Sequence, residues 1–494
     1  MFKKILIANR GEIARRIMNT CHVMGIAVVA VYSEVDRNAV HVLEADQSVC
    51  LGGSEPRDSY LNIDKIIDAA RNTGVEAIHP GYGFLAENPD FAERCEEEGI
   101  VFIGPPSSVI RELGDKTIAR QKMISNGVPV IPGMITPESD PGTLACEADK
   151  IGYPVLIKAA AGGGGKGMRV VTTPDELHEA CVSASSEAIN AFGSDAIYLE
   201  KYLTRPRHIE FQILADDHGN IVHLLERECS IQRRHQKIVE ETPSTVMTPE
   251  LRVDMGKAAI AAAHASGYVN AGTVEFLLDQ DGSFYFLEVN TRLQVEHPIT
   301  EMVTGVDIVR CQLEIASGSR LTLSQDEIRG RGHAIECRIY AEDPEQGFYP
   351  SPGKIIYMKE PSGPGIRNDC GVCSGFQVPV EYDPIISKLV VLGESRQQAV
   401  SRMIQALREY VILGIRTPIP FLIDLLRSDA FKAGETFTDF IEANFSDWTP
   451  ERAGADFAAI AFIINERGGK KKHQAVNRED ACASPWQTLG NWRR

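Results

Sequence analysis

The sequence predicts a protein of mixed α/β and α+β class with several domains, and three observations support this prediction. A chain of 494 residues is long enough for roughly three domains at about 150 residues each. From residue 1 to about 113, short β-branched runs alternate with helical patterns, which is typical of an open and largely parallel sheet. Strand patterns at 332–340 and 353–358 precede an amphipathic helix at 396–410, which indicates an α+β segment.

The alternation predicts the first segment element by element. Strands are expected at 4–8, 28–32, 77–79 and 101–103, and helices at 12–24, 64–72 and 91–98. The stretch Asn9-Arg10-Gly11-Glu12 follows the first strand, where a dinucleotide-binding fold has its glycine-rich turn. Because the G-x-G-x-x-G spacing that cradles a pyrophosphate is missing, we expect no nicotinamide or flavin site here.

The composition excludes several classes of protein. With 43% hydrophobic and 24% charged residues, the chain is neither disordered nor fibrous. A net charge of −17 argues against nucleic-acid binding, which needs a basic face. No apolar run reaches the ~18 residues of a membrane span and no signal peptide is recognised, so we expect no membrane contact and a cytoplasmic location. The eleven irregularly spaced cysteines agree with reduced thiols.

A glycine-rich segment predicts a hairpin flap. A strand at 152–158 ends in Lys158, glycines cluster at 162–168, and a second strand follows at 169–172. The loop does not fit G-x-x-x-x-G-K-[ST], and strand-loop-strand is not the order of a P-loop. Glycines around Lys166 can still expose backbone N–H groups to a polyphosphate. A flexible surface hairpin is an equally compatible interpretation.

The segment from Thr273 to Asn290 predicts a β-hairpin with two chemically distinct faces. Asp281-Gly282 between strand residues is a strong signal for a two-residue turn. Counting outward gives the pairs Leu278–Tyr285, Phe276–Leu287, Glu275–Glu288 and Thr273–Asn290. Side chains alternate along a strand, so one face is predicted to be apolar, with Val274, Phe276, Leu278, Tyr285, Leu287 and Val289. The other face brings together Glu275, Glu288 and Asn290.

The opposed carboxylates of this polar face indicate a cation site. Two carboxylates directly across a strand pair repel each other, so the pair Glu275–Glu288 needs a compensating charge. Oxygen ligands with few carboxylates suit Mg²⁺ shared with substrate phosphates. The alternative is a solvent-exposed face on which screening makes the repulsion small. If the strand stays extended, the same side continues with Arg292, Gln294 and Glu296.

Cations upstream of the hairpin favour an anionic substrate. Residues 226–237 form an alternating segment rich in basic side chains, in which His235 and Lys237 are expected on the same side. In a chain of net charge −17, a basic cluster opposite an acidic hairpin favours a site for a polyanion with a metal ion. Paired surface charges are the alternative.

On these residues the chain resembles the biotin carboxylase family of the ATP-grasp enzymes. The resemblance covers about residues 2–445, and its motifs are Ile7-Ala-Asn-Arg-Gly-Glu-Ile-Ala14, His79-Pro-Gly-Tyr-Gly-Phe-Leu85, Gly114-Asp-Lys116, the glycine flap, Glu200-Lys-Tyr-Leu203, Arg233-Arg-His-Gln-Lys237, Glu288–Pro298 and Gly332-His-Ala-Ile-Glu-Cys-Arg338. It implies a Rossmann-like pre-ATP-grasp domain at 1–113, an ATP-grasp domain at 114–330 with a lid at about 131–203, a biotin carboxylase C-terminal domain at 331–446, and an extended tail at 447–494.

The resemblance also implies a role for each matched residue. ATP would be bound by Lys116, Lys158, Gly164, Gly165, Glu200, Lys201, Leu203, His208, His235, Glu275 and Glu288. Mg²⁺ or Mn²⁺ would be held by Glu275, Glu288 and Asn290. Bicarbonate would be bound by Lys237, Arg292 and the backbone of Val295, with Glu296 as general base. Biotin would face Arg338, with Tyr82 and Gly83 as further contacts.

The implied activity is the carboxylation of biotin on a separate carrier, driven by ATP through carboxyphosphate. No Ala-Met-Lys-Met attachment segment occurs, so the resemblance predicts a biotin carboxyl carrier protein, a carboxyltransferase and a second copy of the chain as partners. The final acceptor stays open between acetyl-CoA, as in fatty acid biosynthesis, another acyl-CoA, and pyruvate. Lys237, Arg292, Glu296 and Arg338 disfavour two alternatives. One is an ATP-grasp ligase that joins a carboxylate to an amine, and the other is a non-catalytic nucleotide-binding protein.

Overall fold

A five-stranded sheet forms the first layer of the computed structural model, which describes residues 1–134, 136, 138–159, 168–192, 197–234 and 236–450. Its strands are β1 (Lys4–Ile7), β2 (Ala27–Ser33), β3 (Gln47–Gly52), β4 (Ala77–His79) and β5 (Val101–Phe102). They pair in parallel in the order β3-β2-β1-β4-β5, which confirms the predicted α/β segment. The helices are α1 (Gly11–Val23), α2 (Val40–Glu44), α3 (Ile63–Thr73), α4 (Pro89–Glu97) and α5 (Ser107–Gly114).

The predicted flap is a small antiparallel sheet flanked by helices. Its strands β6 (Val155–Ala159) and β7 (Arg169–Val171) pair as expected, and β8 (Ile197–Lys201) pairs on the other side of β6. The flanking helices are α7 (Pro141–Ile151) and α8 (Pro174–Phe192), whereas α6 (Lys116–Ser125) precedes the flap and packs near α5. The glycine loop between β6 and β7, with Gly164 and Gly165, lies outside the described residues.

The largest sheet is separate from the flap sheet and follows it in the chain. Six of its eight strands are β9 (Arg207–Ala215), β10 (Ile221–Arg233), β11 (Gln236–Thr242), β12 (Asn270–Leu278), β13 (Phe284–Asn290) and β14 (His333–Tyr340). Helices α9 (Pro249–Ser266), α10 (His297–Thr304) and α11 (Ile308–Ala316) lie between these strands in the chain. Ile209, Phe211 and Ile213 of β9 are fully buried, as are Val274 and Phe276 of β12.

The C-terminal segment is α+β, as predicted. Its strands are β15 (Glu342–Asp343), β16 (Tyr349–Pro350), β17 (Gly353–Lys354), β18 (Tyr357–Lys359), β19 (Ile366–Cys370), β20 (Gln377–Val378), β21 (Ile385–Gly393) and β22 (Val411–Leu413). The helices are α12 (Arg396–Glu409), α13 (Ile419–Arg427), α14 (Asp429–Ala433) and α15 (Phe440–Phe445). The eight strands of the large sheet lie in the order β13-β12-β9-β10-β11-β14-β21-β19, so the two last segments share one sheet.

The hairpin β12–β13 confirms that Glu275 and Glu288 oppose each other, but its turn differs from the prediction. The loop has three residues, because the N–H of Asp279 donates to the carbonyl of Ser283 at 2.8 Å. Gly282 has a φ of +88°, the left-handed conformation that a three-residue loop needs at this position. A bulge at Leu287 then shifts the pairing back by one residue, so Glu275–Glu288 and Thr273–Asn290 are paired.

This register corrects the predicted apolar face. The pairs near the turn are Leu278–Phe284, Leu277–Tyr285 and Phe276–Phe286, so the predicted pairs Leu278–Tyr285 and Phe276–Leu287 are wrong. Phe284 and Phe286 take the places in the core that the prediction gave to Tyr285 and Leu287. Leu287, at the bulge, is 39% exposed.

Three stretches are less extended than predicted. Strand β13 ends at Asn290 and the chain turns before α10, because Pro298 in its first turn favours a helix start, so the continuation to Glu296 is wrong. The segment 226–237 is two strands, and Arg234 between them has a φ of +49°. The strand predicted at 353–358 is divided into β17 and β18.

None of the helices in the described part of the chain has the length and hydropathy needed to cross a lipid bilayer.

Candidate active site

A cavity of about 320 Å³ lies beside the polar face of the β12–β13 hairpin. It brings together residues that the resemblance assigns to ATP and metal, namely Lys116, Lys158, Glu200, Glu288 and Asn290. Apolar side chains complete the lining, among them Ile131, Met134, Tyr198, Phe286 and Leu287. Charged groups and an apolar wall in one cavity suit a ligand with an anionic part and a flat organic part.

The flap wall of this cavity is organised by Glu200. This carboxylate is buried, forms an ion pair with Lys158 and lies 3.5 Å from the Nη1 of Arg120. The ammonium of Lys201 donates 2.9 Å bonds to the carbonyls of Gly152 and Tyr153. The Lys201 side chain therefore fixes the turn before β6. Neither Lys201 nor Leu203 is among the described residues that line the cavity.

Lys116 lies at the first position of helix α6, opposite the hairpin. Asp115 caps this helix by accepting bonds of 2.9 and 3.0 Å from the N–H groups of Thr117 and Ile118. The side chain of Lys116 is 86% exposed and its ammonium lies 3.6 Å from Glu288. It is thus a cation at the mouth of the cavity.

The ammonium of Lys237 is the centre of an acidic cluster. It donates bonds of 2.5 Å to Glu210, 3.0 Å to Glu275 and 2.5 Å to Glu296. Burial alone would lower the pKa of Lys237, but the three carboxylates outweigh it and raise the pKa well above its usual value. Lys237 is therefore a permanent cation on this strand.

The same cluster holds Glu296 as a carboxylate. Burial would raise the pKa of Glu296, but the charges of Lys237, Arg338 and Arg227 outweigh it and hold the pKa well below its usual range. Its Oε2 accepts a 3.1 Å bond from Arg338. A buried, ionised carboxylate is an acceptor for a proton released close to it.

Glu275 and Glu288 differ in their surroundings. The Oε1 of Glu275 accepts bonds of 2.8 Å from Asn290 and 2.7 Å from Gln294, and its Oε2 lies 3.0 Å from His208. Burial would raise the pKa of Glu275, but Lys237 and His208 hold it well below its usual value. For Glu288, burial and the charge of Glu275 raise the pKa, and the carboxylate is 40% exposed.

These residues fit a divalent cation. A carboxyl whose pKa is raised by a neighbouring carboxylate is stabilised in its charged form when a cation binds to both. The ammonium of Lys237 lies between Glu275 and Glu210 and pairs with both. The metal would therefore bind on the other side of Glu275, toward Glu288 and Asn290. The amide oxygen of Asn290 accepts a 3.1 Å bond from Arg292 and has a second lone pair that a cation could use.

Arg292 lies in the turn that follows β13. Its Nε donates a 2.9 Å bond to Glu87, its Nη2 donates to Asn290, and its Nη1 donates a 3.3 Å bond to the carbonyl of Leu293. Val295 is half-buried in the same turn. Although the strand does not continue as predicted, the turn still brings Gln294 and Glu296 to the cluster around Lys237.

Arg338 lies on β14 between two acids. Its Nε donates a 2.6 Å bond to Glu240, and its Nη2 bonds Glu296. Burial would lower the pKa of Arg338, but both carboxylates raise it well above its usual value. Burial raises the pKa of Glu240 to about 7, although Arg338 acts against this shift. The guanidinium is therefore a fixed positive charge next to Glu296.

Tyr82 and Gly83 lie in the loop between β4 and α4. The carbonyl of Tyr82 accepts a 2.7 Å bond from Asn9, and the ammonium of Lys388 lies 5.7 Å from the Tyr82 ring centre. Lys388 lies on β21 directly across from Arg338 on β14, so the loop approaches the strand next to the one that carries Arg338.

Several site residues were missed by sequence reasoning. Arg227 is fully buried and bonds Glu210, Gln212 and Gln294 at 2.5–2.8 Å, and Glu87 and Glu240 hold the two site arginines. The alternation His208, Glu210, Gln212 in an apolar strand was a usable signal for a polar face. His235 lies outside the described residues.

Comparison with protein families matches most of the chain to three models. Residues 1–110 match the biotin carboxylase N-terminal domain, 115–324 the ATP-binding domain of the carbamoyl-phosphate synthase L chain, and 336–443 the biotin carboxylase C-terminal domain. Among relatives, the chain is 56% identical to a pyruvate carboxylase subunit of Methanothermobacter thermautotrophicus over 90% of both chains. It is 53% identical to biotin carboxylase of Nostoc over 89% of this chain and 99% of that protein.

Solved structures agree with these matches. The biotin carboxylase domain of a thermophilic 2-oxoglutarate carboxylase, bound to bicarbonate, is 47% identical with a TM-score of 0.87, covering 91% of this chain and 100% of that one. The biotin carboxylase of Campylobacter jejuni in complex with β,γ-ATP is 46% identical with a TM-score of 0.84, covering 90% and 99%. The chain therefore belongs to the biotin carboxylase family and is an ATP-dependent carboxylating ligase.

Proposed function

We propose that this chain transfers bicarbonate carbon to biotin on a carrier protein through carboxyphosphate, and that the residues around Lys237 perform the chemistry. The observation that supports this most directly is the buried carboxylate of Glu296, held between Lys237 at 2.5 Å and Arg338 at 3.1 Å. Lys237 would bind the bicarbonate anion, Glu296 would accept its proton and Arg338 would face biotin.

Residues on both sides of the cavity would bind ATP. Lys116 and Lys158 would pair with the phosphates, and Lys158 would leave Glu200 to do so. The backbone and side chains at Glu200, Lys201 and Leu203 would contact adenine, and His208 and His235 would help place the nucleotide. Gly164 and Gly165 would cover the phosphates. The complex of the Campylobacter jejuni relative with β,γ-ATP supports this assignment.

Glu275, Glu288 and Asn290 would hold Mg²⁺ or Mn²⁺ beside the phosphates. The bound metal would supply positive charge that offsets the charge on the transferred phosphoryl group. The Hydrogenobacter thermophilus domain in complex with MgADP and bicarbonate supports a metal in this family's site.

Lys237, Arg292 and the backbone of Val295 would orient bicarbonate toward the γ-phosphate. Glu296 would then take the bicarbonate proton, since bicarbonate that draws Lys237 away from Glu296 would remove the main charge that lowers its pKa and would make the carboxylate a better base. Carboxyphosphate would release CO₂ and phosphate inside the closed site, and the phosphate would accept the N1′ proton of biotin.

Arg338 would stabilise the negative charge that develops on the ureido oxygen of biotin, and Tyr82 and Gly83 would border the ring. A guanidinium suits this role because it stays protonated and offers several N–H donors. Glu240 bonds its Nε and Glu296 bonds its Nη2, and together they fix the orientation of the guanidinium.

For domain organisation we propose the division 1–113, 114–330 with a lid at about 131–203, 331–446 and a tail at 447–494. The end of the parallel sheet at Phe102 and the flap sheet from Val155 to Lys201 support it. Residues 451–494 lie outside the described residues.

We propose a biotin carboxyl carrier protein, a carboxyltransferase and a second copy of the chain as partners. The Hydrogenobacter thermophilus relative, whose structure is a domain dimer, supports the homodimer, which light scattering would test. For the acceptor we propose acetyl-CoA or another acyl-CoA, since the α subunit of methylcrotonoyl-CoA carboxylase of Dictyostelium discoideum is 49% identical over 99% of this chain and 70% of that protein. Pyruvate is the second candidate, favoured by the relative with 56% identity.

The deciding experiment measures ATP cleavage by the purified chain with Mg²⁺ in the presence of bicarbonate, biotin or both, while labelled bicarbonate reports carboxybiotin. We expect stimulation and labelled product only with both substrates. ATP binding without any dependence on bicarbonate or biotin would contradict the proposal. Tagged protein would then be isolated with its partners, and the labelled carboxyl group would be offered to acetyl-CoA, other acyl-CoAs and pyruvate.

Glu288→Gln tests the metal assignment more cleanly than a change at Glu275, which also contacts Lys237 and His208. Because the variant loses one anionic ligand, we expect the Mg²⁺ concentration for half-maximal activity to rise by at least about 10-fold, the smallest loss seen when a group that only supports a metal ligand is removed. Asp281→Asn in the turn of the same hairpin is the matched control and should leave it unchanged. Equal Mg²⁺ dependence in wild type and Glu288→Gln would contradict the assignment.

A further inference from the structure

Glu87 connects the loop after β4 to the turn after β13. Its Oε1 accepts bonds of 3.1 Å from the N–H of Thr291 and 3.5 Å from the Thr291 hydroxyl, and its Oε2 accepts the 2.9 Å bond from the Nε of Arg292. One carboxylate thus fixes both the backbone and the guanidinium of the turn, across 205 positions of sequence.

The contact determines the orientation of Arg292. Within the described part of the chain, the guanidinium donates through Nε to Glu87, through Nη2 to Asn290 and through Nη1 to the Leu293 carbonyl. Three of the five N–H groups of an arginine are then engaged, and one on each terminal nitrogen stays available for an anion. Without Glu87, the planar group loses the one carboxylate among these three acceptors and can rotate about its long side chain.

The loop that carries Glu87 is held firmly. Asn9 donates bonds of 2.8 and 2.7 Å to the carbonyls of Pro80 and Tyr82. Gly81 has a φ of +65°, and a Cβ there would lie 2.8 Å from the Asn9 amide nitrogen. Phe84 stacks on Tyr60 with ring centres 4.9 Å apart. Tyr82, Gly83 and Glu87 are therefore parts of one braced loop.

We infer that Glu87 is a positioning residue that orients Arg292 for bicarbonate and couples the biotin side of the site to the bicarbonate side. The inference rests on the proposed roles of Arg292, Tyr82 and Gly83. Biotin bound against Tyr82 and Gly83 would hold this loop in the arrangement in which Glu87 orients Arg292, and would thereby favour bicarbonate binding. By linkage, bicarbonate bound to Arg292 would favour biotin binding to the same extent.

The test compares Glu87→Ala, Glu87→Gln, Arg292→Ala and the control Glu93→Ala, which removes only an exposed partner of Arg111 on helix α4. For Glu87→Ala we expect the KM for bicarbonate to rise about tenfold and several-fold more than the KM for ATP, whose cavity Glu87 also lines, while the kcat at saturating bicarbonate stays within about threefold. Stimulation of ATP cleavage by biotin should fall toward one. Glu87→Gln keeps a carbonyl acceptor of the same length and should restore part of both effects.

The outcomes separate this inference from the proposed function. If Arg292→Ala leaves the KM for bicarbonate unchanged, the proposed role of Arg292 fails. If Arg292→Ala raises it but Glu87→Ala does not, or if the KM values for bicarbonate and ATP rise by the same factor, the positioning role is wrong. If biotin stimulates ATP cleavage by Glu87→Ala as much as by the wild type, the proposed coupling is wrong. Thermal unfolding of each variant shows whether partial unfolding contributes to a change in KM. Glu93→Ala should have the kinetic constants of the wild type, which shows that removal of a nearby acid alone has no effect.

Discussion

Replacing Lys237 by Met is expected to abolish bicarbonate-dependent ATP cleavage and to lower the thermal stability of the protein. The variant leaves three carboxylates, Glu210, Glu275 and Glu296, around a neutral side chain of similar length. We expect kcat to fall at least ~10³-fold, because a fixed positive charge next to a transferring phosphoryl group is a large part of its stabilisation. Steady-state ATP cleavage with saturating bicarbonate measures this loss.

The stability of Lys237→Met should depend on pH in a defined direction. In the wild type, Glu275 and Glu296 have lowered pKa values, so they contribute stability above their unfolded pKa of about 4.3, and this contribution is lost as pH falls through the folded values. In the variant the charge of Lys237 is gone, so burial raises both folded pKa values against the remaining charges of His208, Arg338 and Arg227. The carboxylates then stabilise the fold less at neutral pH than they do in the wild type, and this deficit shrinks as pH falls through the raised values.

The thermal midpoint of the variant relative to wild type should therefore be lowered more at about pH 8 than at about pH 5. Loss of one partner from a buried ion pair typically costs about 3–5 kcal/mol, which is large enough to detect by calorimetry. Lys150→Met, which removes an exposed ion pair with Glu147, is the control and should show no such pH dependence. A deficit that does not change with pH would mean that Lys237 does not control these carboxylates.

The polar face of the β12–β13 hairpin could be predicted from the sequence because alternation along a strand depends only on backbone geometry. Glu275 and Glu288 oppose each other as the period-2 pattern requires. The turn could not be predicted, since Asp281-Gly282 is compatible with loops of two or three residues. The bulge at Leu287 compensates for the extra loop residue, and bulges depend on how the sheet packs.

Contacts between segments that are distant in sequence could not be predicted from the alternation of polar and apolar residues. Glu87 and Arg292 are 205 positions apart, and Glu240 meets Arg338 across 98 positions. Glu87 lies in a loop and Glu240 lies on a strand, and nothing in the residue pattern around either acid distinguishes it from other acids of the chain. No spacing rule therefore relates either acid to its arginine. The edge strand β3 was also missed, because its exposed polar and cysteine positions interrupt any β-branched run.

Arg338→Ala is expected to separate the two halves of the reaction. Arg338 lies next to Glu296 and Glu240, and its described hydrogen bonds and ion pairs do not include Lys237 or Arg292, so its loss leaves the bicarbonate-binding groups in place. We expect carboxybiotin formation to fall about 10²- to 10³-fold, because a donor to the developing negative charge on the ureido oxygen is lost. ATP cleavage that depends on bicarbonate alone should fall less than about tenfold.

Two further variants make this result specific. Arg338→Lys keeps the positive charge but loses the planar fork that bonds Glu240 and Glu296 together, so it should lie between wild type and Arg338→Ala. Arg310→Ala removes an exposed arginine paired with Glu314 and should behave as wild type. Labelled bicarbonate and phosphate release, measured in the same reaction, give the ratio of carboxybiotin formed to ATP cleaved. If this ratio stays at the wild-type value in Arg338→Ala while both rates fall equally, then Arg338 acts on bicarbonate activation through Glu296 and does not act on biotin.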